Sequence, residues 1–265
     1  TAQTSCDFRG LTHGNTYYVR ITQEGCTTSV VQSLIMPYVA PFTEAFDGTV
    51  LPPYWTPMSG SVSAAFAGTL PTENADYSSE GWKILTKAYG LPANHLAGEL
   101  SNATSKCVDQ WFVSPEIGIP ATDTETTLSF DMALTAHNSN AAPGNTDNQE
   151  FRVLVSNDNG ATWRSDAQWL FADTAAAYRS LSSISTTGER IELDMKRYAG
   201  KRVRIALYKS ATTADNTSDV HIANLRLAMP CSKPDSLTAQ SVDFTSAALV
   251  WKGQTNLPTI IEYAT

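Results

Sequence analysis

The chain has 265 residues, of which 42% are hydrophobic and 17% are charged, and its formal net charge is −8. This length suffices for one large domain or two smaller ones, and the few charged residues beside plentiful Thr, Ser, Ala and Asn favour β-sandwich surfaces over helical ones. The negative charge argues against nucleic-acid binding, and no apolar run approaches the roughly 20 residues that a membrane helix needs. The sequence starts inside a structured pattern without a signal peptide, so we expect a mature or excised fragment.

Alternation of apolar and polar residues predicts β-strands along the chain. The clearest examples in chain order are residues 17–22, 151–156, 191–194 and 202–207. Polar turn clusters separate such runs at residues 138–148, 157–160, 186–188 and 212–218. No long stretch repeats apolar residues at helical spacing, so the pattern predicts an all-β sandwich or barrel with long polar loops.

The N-terminal segment has the spacing of a tyrosine corner, in which a Tyr at the start of a strand bonds to backbone a few residues upstream. Tyr17 holds that position, and residues 1–37 resemble the last part of a fibronectin type III module, although His13 replaces the usual Pro. The C-terminal segment, residues 230–265, resembles the first strands of the same module, with Trp251 as its core tryptophan.

Each of these two terminal parts is too small to bury a core alone. We therefore expect them to pair, either within one chain or between neighbouring molecules. The predicted fold is a jelly-roll β-sandwich over residues 38–229 with flanking fibronectin type III-like strands.

The central segment carries motifs that occur in a recognisable order. They are Pro41-Phe-Thr-Glu44-Ala-Phe46-Asp47, Leu51-Pro-Pro-Tyr-Trp55, Asp109-Gln-Trp111-Phe-Val-Ser114-Pro115, Tyr198-Ala-Gly200 and Val220-His-Ile222-Ala-Asn224. This order resembles the cleaved-adhesin (choice-of-anchor J) family, which includes the adhesin domains of gingipains and is distantly similar to MAM domains. The resemblance implies a jelly roll in a large secreted bacterial cell-surface protein, beside other modules of the same polypeptide.

One turn matches the Asp-box pattern SxDxGxTW. Its residues are Ser156-Asn-Asp158-Asn-Gly160-Ala-Thr162-Trp163. In such a turn the Asp side chain binds turn amides, Gly permits a positive φ and Trp packs beneath. Sialidase propellers carry a copy in each blade, but this sequence has a single copy and no blade repeat, so we interpret the motif as structural.

Four cysteines occur, and none forms a CxxC pair. They are Cys6, Cys26, Cys107 and Cys231. Four cysteines allow three disulfide pairings. We favour Cys6 with Cys26 and Cys107 with Cys231, and four unpaired buried thiols are the alternative.

No catalytic motif is apparent, because HExxH, GxSxG and cysteine-nucleophile patterns are all missing from the sequence. We therefore predict no catalytic residue and no enzyme activity in this chain. Two carboxylates that converge in the fold, as in glycosidases, are the open alternative.

The family resemblance implies a structural calcium ion that joins an acidic residue near the first strand to acidic residues on the last. Glu44 matches the first position, whereas Ala223 and Asn224 stand where the family has aspartates. Asp147 and Asp219 lie in predicted loops that could supply the missing charge. The predicted metal ligands are thus Glu44, Asp147, Asp219 and Asn224, and the alternative is that Glu44 and Asn224 are hydrogen-bonded edge residues.

Sugars stack their CH groups on exposed aromatic rings, so exposed aromatic residues are candidate ligand contacts. The candidates are Trp55, Trp82, Trp169 and Tyr178, and the alternative is burial in the core, where lone tryptophans usually lie. Trp169 and Tyr178 flank a polar loop and are the predicted ligand-binding residues.

The predicted function is a non-catalytic adhesion or ligand-binding module of a secreted or cell-surface protein. Its expected partner is a glycan or a host surface protein, without nucleic-acid binding or membrane insertion. The alternatives are an accessory domain of a secreted peptidase or glycosidase and a structural spacer in a modular stalk.

Overall fold

The computed structural model describes residues 7–12, 14–22, 29–74, 81–101, 108–123, 125–212, 217–229 and 235–252. All four cysteines lie outside these ranges, and so does the predicted disulfide pairing. The chain divides into two compact units, Thr1–Met229 and Pro230–Thr265, which are described separately. Within the described ranges, no helix is both long enough and apolar enough to cross a membrane.

The first unit is built almost entirely from strands. These are β1 (Thr16–Thr22), β2 (Ser29–Ile35), β3 (Tyr38–Val39), β4 (Phe42–Glu44), β5 (Thr56–Ser59), β6 (Thr72–Glu73), β7 (Trp82–Leu85), β8 (His95–Leu100), β9 (Gln110–Val113), β10 (Ile117–Gly118), β11 (Thr127–Ala136), β12 (Gln149–Ser156), β13 (Gln168–Phe171), β14 (Glu189–Asp194), β15 (Arg202–Ala211) and β16 (Ser218–Ala228). Among the described residues of this unit, a short helix, α1 (Val62–Phe66), and 3₁₀ turns at Leu181–Ser183 and Lys196–Tyr198 interrupt the strands. Helix α1 differs from the all-strand pattern predicted for this part of the chain.

Two sheets pack face to face. The eight-stranded sheet has the order β13-β12-β15-β9-β5-β6, with β10 joining β15 to β3. The six-stranded sheet has the order β14-β11-β16-β8-β7, and β4 pairs with the far end of β16. This arrangement confirms the predicted all-β sandwich.

The core lies between the inner faces of these sheets, as the alternation predicted. Phe151 is fully buried near the middle, where its ring contacts Trp82, Phe130 and Phe171. On β14 the apolar residues are buried and the intervening Glu192 and Asp194 are exposed, as expected for a strand with one solvent face.

A second apolar cluster covers part of the outer face of the eight-stranded sheet. Trp111 and Tyr208 form its floor, and Trp163 of the Asp-box turn packs on Trp111 with ring centroids 5.4 Å apart. Val62 and Ala65 of α1 belong to the same cluster. Packing on this patch, rather than intrinsic helix propensity, therefore stabilises so short a helix.

One lysine is buried inside the sandwich. Lys209 of β15 has no exposed surface, and its Nζ donates a hydrogen bond of 2.6 Å to the backbone oxygen of Glu99 on β8. Gly98 makes room for the aliphatic part of this side chain, since a Cβ there would lie 2.6 Å from Lys209 Cδ.

Hairpins occur near both ends of the chain. In the first unit β1 and β2 form a two-stranded sheet, and the Tyr17 hydroxyl accepts a 2.8 Å hydrogen bond from Thr12 N, which confirms the predicted tyrosine-corner contact. In the second unit β17 (Asp235–Val242) pairs with β18 (Ala247–Lys252). The three-module division at residues 37 and 229 and the pairing of the two terminal parts stay predictions.

Candidate functional site

A groove of about 730 Å³ lies on the outer face of the eight-stranded sheet. Its floor combines Glu150 and Arg152 of β12 with Tyr208 and Ser210 of β15. Glu150 is the register partner of Ser210, and Arg152 is the partner of Tyr208, so two cross-strand pairs form the floor. Alternation along both strands directs these side chains away from the core and into the groove.

One wall of the groove comes from the chain around α1. Ser61 and Ser63 line it together with Asp109, the residue just before β9. Two hydrogen bonds hold this wall in place: Gly60 N donates to Asp109 O over 3.0 Å, and Trp111 Nε1 donates to Gly60 O over 2.6 Å.

The floor holds the Asp109 carboxylate in a fixed position. The Tyr208 hydroxyl donates to Asp109 Oδ1, and Ser210 Oγ donates to the same oxygen over 3.0 Å. Burial, followed by the hydrogen bond to Asp109, raises the pKa of Tyr208, so the phenol stays protonated and continues to donate. Asp109 is thereby kept as a hydrogen-bond acceptor.

The opposite wall contains Asp173, whose carboxylate accepts several hydrogen bonds. Thr146 and Ser180 donate through their hydroxyls, and Ser182 donates through its hydroxyl over 2.8 Å and its backbone N–H over 3.1 Å. Burial alone would raise the pKa of Asp173, but these donors outweigh it and lower the pKa to about 2. The carboxylate is therefore ionised at ordinary pH.

Arg152 is clamped on the floor. Its Nη2 lies 2.6 Å from Glu150 Oε2, and its Nη1 donates over 2.8 Å to Gln168 Oε1 on the edge strand β13. The pair is only partly exposed, with side-chain exposures of 14% for Arg152 and 25% for Glu150. The groove therefore presents carboxylates, hydroxyls and a guanidinium whose positions are set before any ligand arrives.

The two predicted ligand-binding aromatic residues lie elsewhere, at the edge of the sandwich where β13 and β14 are the outermost strands. Trp169 is partly buried against the core and lines a cavity of about 350 Å³ with Asp166, Asp194 and Arg197. Tyr178 is 53% exposed, and its hydroxyl donates over 3.4 Å to the backbone oxygen of Glu192 on β14. They stay predictions, whereas Trp55 and Trp82 are buried in the core.

The predicted metal ligand Glu44 is a buried residue of β4 with partners of its own. Phe46 N donates to Glu44 Oε1 over 3.0 Å, and the Tyr54 hydroxyl donates to Glu44 Oε2 over 2.6 Å. Burial and then the Glu44 contact raise the pKa of Tyr54. Both carboxylate oxygens thus already accept a hydrogen bond.

Asn224, the second predicted metal ligand, lies in a β-bulge next to the register partner of Glu44. It has a positive φ of 51°, and its side-chain amide donates to Asp131 over 2.7 Å. Arg190 binds the same corner, where its Nη1 lies 3.0 Å from Asp131 Oδ1 and 3.1 Å from Asn224 O. A positive side chain is therefore present beside Asn224.

The other two predicted metal ligands are not brought to that corner. Asp219 lies nearer the start of β16 and accepts hydrogen bonds from His137 Nδ1 over 2.9 Å and Asn138 N over 3.0 Å, while Asp147 lines the groove. Across the parts of the chain that the structure describes, no group of three or more His, Cys, Asp or Glu is suited to hold a metal ion. Bound calcium stays a prediction. A melting temperature that rises with CaCl₂ and falls with EDTA would support it, and an unchanged melting temperature would contradict it.

His95 and His221 form a buried pair that was not predicted from the sequence. His95 Nδ1 donates to Pro92 O over 2.7 Å, His95 Nε2 lies 2.8 Å from His221 Nδ1, and His221 Nε2 lies 2.9 Å from Thr135 Oγ1. Burial lowers the pKa of both, and in His221 the neighbouring imidazole lowers it further, to about 4. The two residues are 126 positions apart, so no local motif announces the pair.

No protein-family model matches this sequence, and no curated protein matches it. Among solved structures, the chain is similar to the K3 cleaved adhesin domain of Lys-gingipain from Porphyromonas gingivalis, with 16% identity, a TM-score of 0.41, and coverage of 71% of this chain and 98% of that one. A xylan-binding module, CBM15, is similar at 12% identity and a TM-score of 0.35, covering 72% of this chain and 100% of the module.

The Endo-D glycoside hydrolase domain from Streptococcus pneumoniae is also similar, at 14% identity and a TM-score of 0.35. The match covers 67% of this chain but only 26% of the hydrolase structure, so the chain spans about a quarter of that protein. Adhesin and carbohydrate-binding modules are thus among the structures that this chain resembles in outline. Identities this low concern the fold alone.

Proposed function

We propose that this chain is a non-catalytic carbohydrate-binding module of a larger secreted or cell-surface bacterial protein, and that an oligosaccharide binds in the groove. The observation that supports this proposal is the groove's lining of fixed hydrogen-bonding groups. Each sugar hydroxyl both donates and accepts, so a sugar needs carboxylate and hydroxyl acceptors together with guanidinium and hydroxyl donors.

Preorganisation supports the same proposal. Asp109 and Asp173 are held by hydroxyl donors, and Arg152 is held between Glu150 and Gln168. Side chains that are ordered before binding lose little further entropy when a ligand arrives. A polar groove with fixed walls therefore binds an oligosaccharide better than a mobile surface of the same composition would.

The carboxylates of the groove favour binding over glycoside hydrolysis. A glycosidase needs a carboxylic acid that is protonated at working pH, which requires a raised pKa. Asp173 is held ionised, Asp109 accepts from two hydroxyls, and Glu150 is ion-paired with Arg152. For Asp173, the hydrogen-bond donors favour the charged form, which is the opposite of what a glycosidase acid needs. An accessory role beside a catalytic domain of a longer protein, or a spacer role, is an alternative that a glycan-binding assay separates from this proposal.

A glycan-array screen followed by isothermal titration calorimetry on the best ligand tests the proposal. Ser63→Trp places a bulky ring in the groove wall at an exposed position, and we expect it to abolish binding without changing the melting temperature. Tyr178→Ala is the matched control outside the groove, at the edge of the sandwich near β14. If Tyr178→Ala or Trp169→Ala abolishes binding and Ser63→Trp does not, the ligand binds at the predicted aromatic residues instead. If no glycan binds, the proposed function is wrong, and a host-protein partner becomes the next candidate.

A further inference from the structure

The charge of the groove restricts which sugar can bind, an inference that rests on the proposed function. Among the residues that the structure describes, four carboxylates and a single guanidinium line the groove. The carboxylates belong to Asp109, Asp147, Glu150 and Asp173, and the guanidinium belongs to Arg152. A ligand in the groove therefore meets an excess of negative charge, in a cleft where water is partly displaced and charges interact more strongly than in bulk solvent.

Among the described residues that line the groove, Arg152 is the single cation, and it is already ion-paired with Glu150. Both terminal nitrogens of Arg152 are engaged, Nη2 by Glu150 at 2.6 Å and Nη1 by Gln168 at 2.8 Å. Recognition of a carboxylate or sulfate by arginine ordinarily uses two parallel N–H donors directed at the anion. At this guanidinium an acidic sugar would compete with Glu150, whose carboxylate already opposes the positive charge.

The negative charge of Asp173 also persists under the conditions of a binding assay. The hydroxyl and amide donors around Asp173 keep its pKa near 2, so mild acid does not neutralise it. Asp147 is exposed at the end of the groove, where its charge faces an incoming ligand.

We propose that the groove selects sugars that carry a free ammonium group, as in unacetylated hexosamines, over their N-acetylated and acidic counterparts. An ammonium group supplies three N–H donors and one positive charge to a site rich in carboxylate acceptors. The N-acetylated sugar keeps the hydroxyl contacts and loses the charge, whereas a uronic acid brings a like charge into the groove.

Three oligosaccharides of equal length test this selectivity: a glucosamine oligomer, its fully N-acetylated form and an oligogalacturonate. Binding is measured by calorimetry in a mildly acidic buffer in which the amine is protonated and the protein remains folded. We expect affinity to fall in that order, with at least about a tenfold difference between the first and the last, as close charge pairs in a partly desolvated site provide.

A pair of charge-matched variants separates the groove from general attraction to an acidic protein. Asp147→Asn removes an exposed charge inside the groove, and Asp47→Asn removes an exposed charge elsewhere. We expect Asp147→Asn to weaken binding of the glucosamine oligomer by about threefold or more, and by more than it weakens binding of the N-acetylated form, whereas Asp47→Asn changes neither.

Equal weakening by both variants, or an oligogalacturonate that binds as tightly as the glucosamine oligomer, would overturn the selectivity while leaving the proposed function standing. If none of the three sugars and no other glycan binds, the proposed function itself fails.

Discussion

His95 and His221 face each other through one hydrogen bond, so only one of the two facing nitrogens can carry a proton. Since His95 Nδ1 must donate to the Pro92 carbonyl, a neutral His95 accepts at Nε2 from His221 Nδ1, and His221 Nε2 is then the unprotonated nitrogen that faces Thr135 Oγ1. Protonation of both rings would bring two N–H groups together in a buried site. Asp219, His137 and Glu99 are ionisable groups close to this pair. The Asp219 charge raises the pKa of both histidines, but by less than burial lowers it.

The pair makes stability depend on pH. In the unfolded chain His221 titrates near 6.5, whereas in the fold its pKa is about 4. Its contribution is complete above pH 6.5 and is lost progressively as the pH falls toward 4, because the unfolded chain then binds the proton and the folded chain does not. A shift of this size corresponds to about 3 kcal/mol. Urea unfolding at a series of pH values measures it, and the contribution is refuted by a free energy of unfolding that is flat over this range.

His221→Gln is the companion variant for that measurement. It removes the titrating group, so we expect its free energy of unfolding to vary less with pH than that of the parent, even though the variant is less stable overall. An unchanged pH dependence would assign the effect to other groups.

At the scale of elements, the Asp-box turn between β12 and β13 is built from side-chain hydrogen bonds. Asp158 accepts from Ser156 Oγ over 2.6 Å and from Thr162 N over 3.0 Å, and Asn159 and Gly160 have positive φ values of 62° and 83°. Burial would raise the pKa of Asp158, but these donors hold it below its usual value.

Asp158→Ala should lower the free energy of unfolding by about 1–2 kcal/mol, because the turn amide and two hydroxyls lose their acceptor. Asp166→Ala is the control from the same loop: its ion pair with Arg164 is 69% and 63% exposed, and exposed pairs contribute little. Denaturant unfolding of both variants compares them, and equal losses would show that the turn bonds contribute no more than a surface pair.

The close approach of β8 to β15 gives a second prediction for an element. A Cβ at Gly98 would lie 2.6 Å from Lys209 Cδ and 2.9 Å from Trp82 Cε3. Lys209 cannot swing aside, since it is enclosed and its Nζ is bonded to Glu99 O. Gly98→Ala should therefore cost about 1–3 kcal/mol in unfolding free energy.

Gly118→Ala is the matched control in a strand, because its nearest neighbour, Tyr38 O, would lie 3.6 Å from the new Cβ. We expect a change in melting temperature for Gly98→Ala that is several times that of Gly118→Ala. Similar changes for the two would mean that the sheets separate more easily than their packing indicates.

Local sequence patterns predicted these elements well. Contacts between strands that are distant in the sequence could not be predicted in the same way. Alternation placed Phe151 and Val153 inward, and the SxDxGxTW pattern placed Asp158 correctly, because each depends on neighbours within a few residues. The groove depends on the register of β12 against β15 and on α1 packing over Trp111, neither of which the sequence specifies locally.

At the scale of the whole molecule, Phe151 links the two sheets of the sandwich. It is fully buried and packs against Trp82 and Phe130 of the six-stranded sheet and Phe171 of its own sheet. Phe151→Ala should cost about 3–5 kcal/mol, since a well-packed core fills such a cavity poorly. Val50→Ala, at a residue 73% exposed, is the control and should change the unfolding free energy by less than about 0.5 kcal/mol. A small loss for Phe151→Ala, measured by denaturant unfolding, would contradict a single shared core.

The enclosure of Lys209 gives the folded molecule an internal chemical reporter. Amine-reactive reagents modify lysines they can reach, and no surface of this one is reachable while the sheets stay packed. The rate of Lys209 acylation, monitored by peptide mass spectrometry, would therefore report how often the sandwich opens in a native sample. Neither denaturant nor an introduced probe is needed.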